Sequence, residues 1–128
     1  MYTTIGDVIA YVDAIKPNTR TQEEKIMWLN SLDTTVYKDI ICTHEGHETI
    51  EFNEYTVDTP TTQELLIPTP YTEIYRFFLE MQIDLANAEF NKYNSSSALF
   101  NSAYENYEKY YHSNNMPLQP NSIDFGFS

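Results

Sequence analysis

The fold is decided by residues 70–93, which read PYTEIYRFFLEMQIDLANAEFNKY. Apolar side chains recur in this stretch every three or four residues, the spacing that places them on one face of an α-helix. A proline at the start suits the first turn of a helix, where its missing N–H is not needed. We therefore predict a helix that begins near Thr69 or Pro70 and continues through Tyr93. Its apolar face consists of Ile74, Phe77, Phe78, Met81, Leu85 and Ala88.

Two further helices are predicted earlier in the chain, over residues 4–15 and from residue 21 to about residue 42. Both segments carry apolar residues at helical spacing. Thr4 and Thr21 suit the N-cap position, because each is followed three residues later by an acidic side chain that can complete a capping box. Pro17 ends the first of these helices, since proline cannot continue a helical hydrogen-bond ladder.

The next segment, at about residues 44–68, has a different character. It contains six acidic residues and neither lysine nor arginine. Ile50 and Phe52 alternate with polar residues, which is the pattern of a half-buried strand. We therefore predict a strand or extended arm over residues 49–57 that pairs with residues 65–67 and forms a projecting loop or β-hairpin.

A fourth helix is predicted from Ala98 to about His112. It follows Asn94 and three serines at positions 95–97, whose side chains compete with helical backbone hydrogen bonds and make good N-caps. We therefore expect a break or sharp kink at the serines. The apolar face of the last helix consists mostly of tyrosines.

Residues 113–128 contain two prolines and no regular period, yet they also carry large apolar side chains, which disordered tails normally lack. We predict a C-terminal docking tail that orders against its own domain or against a neighbour. The chain as a whole is predicted to be mainly α. It forms a small bundle of about four helices over residues 1–112, which includes the acidic arm, followed by this extended tail.

The charge of the chain restricts its partners. Nineteen acidic and seven basic residues give a formal charge of −12, which repels a phosphate backbone and excludes ordinary nucleic-acid binding. Two roles related to nucleic acid stay open. The chain can line a channel through which DNA slides, or it can mimic DNA.

The sequence also indicates where the protein resides. Its apolar residues are spread along the chain and never form the run of about 18 that a membrane-spanning helix needs. The first residues have no basic start and carry Asp7 within the apolar stretch, unlike a secretory signal. We therefore expect a cytoplasmic protein without a membrane partner.

No pattern in the sequence indicates catalysis. Cys42 is the only cysteine, and His44 and His47 lack the spacing of zinc-protease ligands. The three glycines are far apart and cannot form a phosphate-binding loop. The acidic residues of the helix over residues 70–93 are expected on its solvated side. We therefore predict that the chain is not an enzyme and has no catalytic residue, cofactor or metal.

Tyrosine is the unusual feature of the composition, with eleven residues in a chain of 128. Tyrosine joins an apolar ring to a polar tip, which suits protein interfaces. We therefore predict that the acidic arm, the tyrosine face of the last helix and the tail contact other subunits. The candidate interface residues are Glu48, Glu51, Phe52, Glu54, Tyr55, Tyr104, Tyr107, Tyr110, Tyr111, Met116, Leu118, Ile123, Phe125 and Phe127.

Several stretches also carry a resemblance to a known family. They include EKIMWLNSLD at residues 24–33, LLIPTPY at 65–71 and EFNKYN at 89–94, with further similarity at 4–17, 36–37, 43–45, 74–75 and 98–101. With these stretches the chain resembles the small head–tail connector, or adaptor, proteins of siphophages and prophages of Gram-positive bacteria.

The resemblance implies a structural virion protein, made in the host cytoplasm and incorporated into the phage neck. Members of the family are small helical bundles with a projecting loop that assemble as a ring, usually twelve-fold, beneath the portal protein. The ring joins the capsid to a tail-side neck or stopper protein and lets DNA pass without binding it specifically. An acidic lumen and aromatic subunit contacts suit that role.

An alternative of a different class stays open. A small acidic protein can present carboxylates in a phosphate-like array and inhibit a host nucleic-acid-binding protein. Such an inhibitor is expected to be a monomer or dimer, with its acidic residues clustered on one exposed face.

Overall fold

The computed structural model describes residues 1–118 and shows four α-helices and a two-stranded antiparallel sheet. The mainly α, four-helix prediction is thus confirmed. The elements in chain order are β1 (Tyr2–Thr4), α1 (Ile5–Ile15), α2 (Gln22–Asp39), β2 (Glu64–Pro68), α3 (Glu73–Ala86) and α4 (Phe90–Asn114), with short 3-10 turns at Ile41–Thr43 and His47–Thr49 between α2 and β2.

The first two helices begin after Thr4 and Thr21, the N-cap residues predicted from the sequence. Thr4 Oγ1 accepts a hydrogen bond from the Asp7 backbone N–H at 3.1 Å. At the start of α2, Thr21 Oγ1 accepts from the Glu24 N–H at 3.1 Å while Glu24 Oε1 accepts from the Thr21 N–H at 3.1 Å, so the capping box is complete. Each cap stabilises its helix by about 1 kcal/mol.

The boundary between the last two helices lies before the serines. Ala88 adopts a left-handed backbone conformation with φ 57°, which ends α3, and α4 then runs from Phe90 through all three serines. The break predicted at positions 94–97 is therefore wrong, because the serine hydroxyls find partners without leaving the helix. Ser95 Oγ donates to the Asn91 carbonyl at 3.3 Å, and Ser96 Oγ donates to Asp84 Oδ2 at 2.9 Å.

The sheet pairs different segments from those predicted. β2 pairs with β1, with Tyr2 opposite Pro68 and Thr4 opposite Glu64, so the predicted pairing of residues 49–57 with 65–67 is wrong. Residues 50–56 have no regular secondary structure and lie against α2. β1, about sixty residues earlier in the sequence, takes the place beside β2, and local alternation could not indicate this pairing.

The loop before β2 closes onto the start of α1. The Ile5 N–H donates to the Gln63 carbonyl and the Gly6 N–H to the Thr61 carbonyl, both at 2.9 Å, so two of the otherwise unpaired first-turn donors of α1 are satisfied. A Cβ atom at position 6 would lie 3.1 Å from Thr61 Cβ. Glycine at this position therefore permits the close approach of the loop.

The hydrophobic core is shared by the four helices, β2 and the segment between α2 and β2. α1, α2 and α3 contribute one apolar face each, and β2, Tyr107 of α4, Tyr55, and Ile40 and Ile41 at the end of α2 add to it. Its largest completely buried side chains are Tyr75, Tyr107, Ile5, Ile26, Leu29, Leu65, Ile67, Ile74, Leu79 and Ile83. Among the helices of residues 1–118, none is long and apolar enough to cross a bilayer.

The chain turns back after α4, and residues 116–118 are hydrogen-bonded to residues 43–45. The Glu45 N–H donates to the Met116 carbonyl at 2.7 Å, and the Leu118 N–H donates to the Thr43 carbonyl at 2.8 Å. Residues 116–118 thus run antiparallel to residues 43–45, about a bridge between His44 and Pro117. The other tail candidates, Ile123, Phe125 and Phe127, lie outside the described residues.

Candidate protein-interaction groove

A groove of about 500 Å³ lies between residues 50–55, the two-stranded sheet and the last turns of α4. Six aromatic residues line it and define what we call the aromatic groove: Tyr2, Phe52, Tyr55, Tyr107, Tyr110 and Tyr111. Five of these six are among the interface residues predicted from the sequence, and Tyr2 was not predicted. Residues far apart in the chain are therefore brought to one surface.

The rings of the groove form connected walls. The Phe52 ring lies 5.5 Å from Tyr55 in an edge-to-face arrangement and 5.4 Å from Tyr37 of α2. On the other wall, Tyr107 lies 6.3 Å from Tyr110 and 6.0 Å from Tyr111 between ring centroids. Such separations are typical of favourable aromatic pairs, so the rings hold one another in place.

The groove has a buried floor and an exposed rim. Tyr55 and Tyr107 are almost completely buried, whereas Tyr2 is 47% and Tyr110 41% exposed. Polar side chains also line the groove, namely the charged Glu51 and Glu64 and the amides Asn53, Gln63 and Asn115. A surface of this kind offers apolar contact at its centre and hydroxyl groups at its edge.

A completely buried carboxylate fixes the floor of the groove. Asp33 of α2 accepts hydrogen bonds from the Tyr55 hydroxyl at 2.6 Å, the Tyr75 hydroxyl at 2.7 Å and the Leu66 backbone N–H at 3.1 Å. The Tyr75 hydroxyl in turn accepts from the Ile67 N–H at 2.7 Å. One side chain of α2 thus holds residues 50–55, β2 and α3 in a single arrangement.

The protonation of these groups follows from their burial. Burial raises the pKa of Asp33 to about 6, although the hydrogen bonds from Tyr55, Tyr75 and Leu66 act in the opposite direction. Burial, together with the nearby Asp33 charge, raises the pKa of the Tyr55 and Tyr75 hydroxyls far above the ordinary value. Both tyrosines therefore stay neutral donors, and both oxygens of the carboxylate are occupied by the fold itself.

Sequence reasoning missed Asp33, but the sequence carries a signal for it. Asp33 lies four residues after Leu29 and three before Val36, and both are buried on the apolar face of α2. A charged residue at helical spacing within an apolar face is buried, and buried carboxylates need donors. The signal indicates a buried carboxylate without naming its partners.

Asn30 positions the arm that carries Phe52 and Tyr55. Its side-chain carbonyl accepts from the Tyr55 backbone N–H at 2.8 Å, and its amide donates to Glu54 Oε1 at 3.2 Å. The Tyr37 hydroxyl donates to the Ile50 carbonyl at 3.3 Å. Side chains of α2 therefore bind two backbone groups of the arm, the Tyr55 N–H and the Ile50 carbonyl.

The remaining predicted interface residues lie around the groove or away from it. Glu51 lines it, while Glu48 and Glu54 are exposed outside it. Tyr104 lies about one turn before Tyr107 on α4, outside the groove, and its ring is 5.5 Å from the Phe100 ring. The exposed side chains of Met116 and Leu118 lie on the segment that turns back after α4.

The surface charge is unevenly compensated. Five of the seven lysine and arginine residues form ion pairs with acidic residues of the helices, namely Lys16, Arg20, Lys25, Arg76 and Lys92. The six acidic residues between positions 44 and 68 are all exposed, and none has a lysine or arginine partner within residues 1–118. The loop therefore presents uncompensated negative charge.

A second buried carboxylate lies at the far end of α3. Asp84 accepts from Lys16 Nζ at 2.8 Å and from Ser96 Oγ at 2.9 Å, which joins α1, α3 and α4. Asp84 is completely buried and Glu80 nearly so. The expectation that the acidic residues of this helix face solvent is therefore wrong for these two, because bases or hydroxyls on adjacent turns and helices pair with them.

A second cavity, of about 580 Å³, lies between the end of α2 and α4 and includes His44 and His112. His44 is buried, and its Nδ1 lies 2.6 Å from the Ile40 carbonyl oxygen. In the part of the chain that the structure describes, no three histidine, cysteine or acidic side chains are grouped so that they could hold a metal ion. The polar residues that line this second cavity therefore suggest no particular ligand.

No family model, no curated protein and no solved structure matches the chain. The aromatic groove and the distribution of charge are the features from which a function can be inferred.

Proposed function

We propose that the chain is a structural protein of a bacteriophage virion, a head–tail connector that forms a ring beneath the portal protein in the phage neck. The ring joins the capsid to a tail-side neck or stopper protein and lets DNA pass. In this proposal the aromatic groove is a contact between subunits, and the number of subunits is twelve by resemblance to the connector family.

The observation that carries the proposal is the aromatic groove. Tyrosine and phenylalanine are enriched in protein interfaces, where they supply a large apolar area at little conformational cost. Here six of them share one groove whose floor is fixed by the Asp33 hydrogen bonds. A preformed aromatic surface of this kind favours binding to another protein chain over catalysis.

The charge distribution supports the passage of DNA. A channel wall must not bind the phosphate backbone, so exposed basic side chains would hinder transport. Most lysine and arginine side chains of the chain are held in ion pairs, while the loop between positions 44 and 68 adds exposed carboxylates. A ring of such subunits repels DNA from its wall.

Electron microscopy of purified virions of the phage that encodes this chain tests the proposal. We expect a labelled copy of the protein at the neck, and its absence from the neck would sink the idea. Tyr110→Ser, on the groove rim, is expected to reduce its incorporation into particles. Leu99→Ser is the matched control, because Leu99 is a similarly exposed apolar residue of α4 that lies outside the groove.

One observation favours a second candidate function. The uncompensated carboxylates of the loop resemble the array that an acidic inhibitor presents to a nucleic-acid-binding protein. That function predicts a monomer or dimer whose binding to its target weakens steeply with salt. Sizing of the protein with its portal separates the two, since a large ring that persists at high salt supports the connector and excludes the inhibitor.

A further inference from the structure

We infer that residues 50–56 separate from α2 as a local unit, and that they do so more often as Asp33 loses its proton. The segment is then a pH-sensitive element that forms or removes one wall of the aromatic groove, because its residues Phe52 and Tyr55 line that groove. The inference concerns the free protein, goes beyond the connector proposal and does not depend on it.

Residues 50–56 are attached to the rest of the domain at few points. Tyr55 is the only buried side chain of the segment, while Ile50 and Phe52 are partly buried against the core. Within residues 1–118, no backbone hydrogen bond joins the segment to an α-helix or to the sheet. A segment with few buried contacts and no such backbone pairing opens at a lower free energy than the domain as a whole.

The chain on either side of residues 50–56 is held by other contacts. After the segment, the carbonyls of Thr61 and Gln63 accept hydrogen bonds from backbone N–H groups in the first turn of α1. Before it, the 3-10 turn at His47–Thr49 contacts the one at Ile41–Thr43. The segment can therefore separate while α1, the sheet and the two turns keep their structure.

The contact between Tyr55 and Asp33 responds to pH because no cation offsets the buried carboxylate. In the part of the chain that the structure describes, none of the ion pairs includes Asp33. β2 faces it with a backbone N–H. The titratable groups near it are Tyr55 of the segment, Tyr75 of α3, and Tyr104 and Tyr107 of α4. Burial raises the pKa of all four hydroxyls, so Asp33 is the member of this cluster that titrates below pH 7.

The direction of the response follows from the hydration of Asp33. Burial raises its pKa to about 6 while residues 50–56 cover it. Separation lets water reach the carboxylate and returns its pKa toward the ordinary value, so ionisation favours the separated state. The ratio of separated to attached molecules, the opening constant, therefore rises between about pH 4 and pH 6, at most roughly 100-fold. Below that range the protonated carboxyl stays bonded to Tyr55, whose hydroxyl can accept as well as donate.

Amide hydrogen exchange in solution NMR measures the opening, with rates corrected for the intrinsic effect of pH on exchange. The Tyr55 N–H, bonded to the Asn30 side chain at 2.8 Å, reports separation of the segment. The N–H of Leu79, in the buried face of α3, reports unfolding of the whole domain. We expect the Tyr55 opening constant to exceed that of Leu79 at every pH and to rise from pH 4 to pH 7. Equal opening constants at the two amides would show that the whole domain unfolds instead, and would overturn the inference.

Asp33→Asn tests whether Asp33 causes the response. This variant keeps the exposed acidic side chains of the loop and His47, so a response that came from those groups would persist in it. We expect the rise with pH at the Tyr55 amide to disappear. A rise of unchanged size would assign the response to the charges of the loop and would overturn the role of Asp33.

Tyr55→Phe and Tyr37→Phe form a matched pair that stays informative if Asp33→Asn does not fold. Each removes one hydroxyl that holds the segment, but that of Tyr55 donates to Asp33, whereas that of Tyr37 donates to the Ile50 carbonyl. Tyr55→Phe should raise the opening constant about tenfold at pH 7 and less at pH 4, where the carboxyl is uncharged. Tyr37→Phe should have the same effect at both pH values. An effect of Tyr55→Phe that does not depend on pH would contradict the inference.

Discussion

The two ends of α3 are each held by a completely buried carboxylate, but the partners of the two differ. Near the start of the helix, Tyr75 joins the Asp33 cluster, whose donors are two tyrosine hydroxyls and a backbone N–H, all neutral. Near its end, about 14 Å along the axis, Asp84 is paired with the charged Lys16 and with Ser96. The first arrangement lies under the aromatic groove and the second lies away from it.

The difference teaches what each carboxylate contributes. Neutral donors orient a carboxylate but do not cancel its charge, so burial raises the pKa of Asp33 to about 6. A cationic partner cancels the charge, and Lys16 stays about a quarter exposed. The Asp33 cluster therefore specifies the shape of the groove and makes stability sensitive to pH. The Asp84 pair joins helices.

The largest expected effect is the loss of the Asp33 carboxylate. In Asp33→Ala three buried donors lose their acceptor, which lowers the free energy of unfolding by about 3–5 kcal/mol. Chemical denaturation measures this loss. Asp33→Asn is the control that keeps the volume and one acceptor, and it should cost less. A loss below about 1 kcal/mol in Asp33→Ala would contradict the assigned role.

The next effect is a dependence on pH. The pKa of Asp33 is raised on folding, so between about pH 4 and pH 6 the folded state holds more protons than the unfolded state. The contribution of Asp33 to the free energy of unfolding is thus present below pH 4 and is lost as the pH rises to 6. The free energy of unfolding decreases by about 3 kcal/mol over this range.

Unfolding measured across this pH range for the wild type and for Asp33→Asn isolates that contribution. The wild-type free energy of unfolding should decrease with pH relative to the variant over the window given above. Parallel curves for the two proteins would show that Asp33 does not titrate there.

A smaller effect is expected at the other end of α3. Asp84→Ala leaves Lys16 and Ser96 without their acceptor, but Lys16 can turn toward water from its partly exposed position. We expect a loss of about 2 kcal/mol, less than for Asp33→Ala. A double-mutant cycle with Lys16→Ala measures the coupling of the pair. A loss equal to or above that of Asp33→Ala would reverse the comparison.

The smallest effects come from removing one donor from each carboxylate. Tyr55→Phe removes a buried hydroxyl and leaves Asp33 with Tyr75 and Leu66, at a cost of about 1–2 kcal/mol at neutral pH. Ser96→Ala leaves Asp84 with its lysine and should cost about 1 kcal/mol. If the groove is the subunit contact of the proposed connector, Tyr55→Phe should also weaken ring assembly measured by sizing, whereas Ser96→Ala should not.

Local signals in the sequence predicted the helices well and their contacts poorly. The caps at Thr4 and Thr21 act over three residues, so the sequence alone located the starts of α1 and α2. The three serines before residue 98 predicted a break that the structure does not show. Within the helix, Ser96 instead forms a buried hydrogen bond to Asp84, and this bond depends on the packing of α3 on α4, which the local sequence does not reveal. The sheet pairs two strands that are about sixty residues apart in the sequence, so local signals did not indicate it.

Local signals likewise predicted some of the groove residues as interface candidates, but they did not predict that these residues meet in one groove. The tyrosines of α4 and Phe52 stood out by composition and spacing, so they could be named as interface candidates. Tyr2 could not, because nothing in its neighbourhood indicates that β1 pairs with β2. The floor also required knowing that Asp33, Tyr55 and Tyr75 meet, and side chains 22 and 42 residues from Asp33 meet it only in the folded chain.

The pairing of β1 with β2 also affects when the aromatic groove can form during translation. Tyr2 is translated before the opposite rim at Tyr110, which follows more than a hundred residues later. The nascent chain can form its early helices while it is still being translated, yet it cannot display the groove. The groove therefore forms late, and in the proposed connector a subunit contact that uses it must wait until α4 is complete.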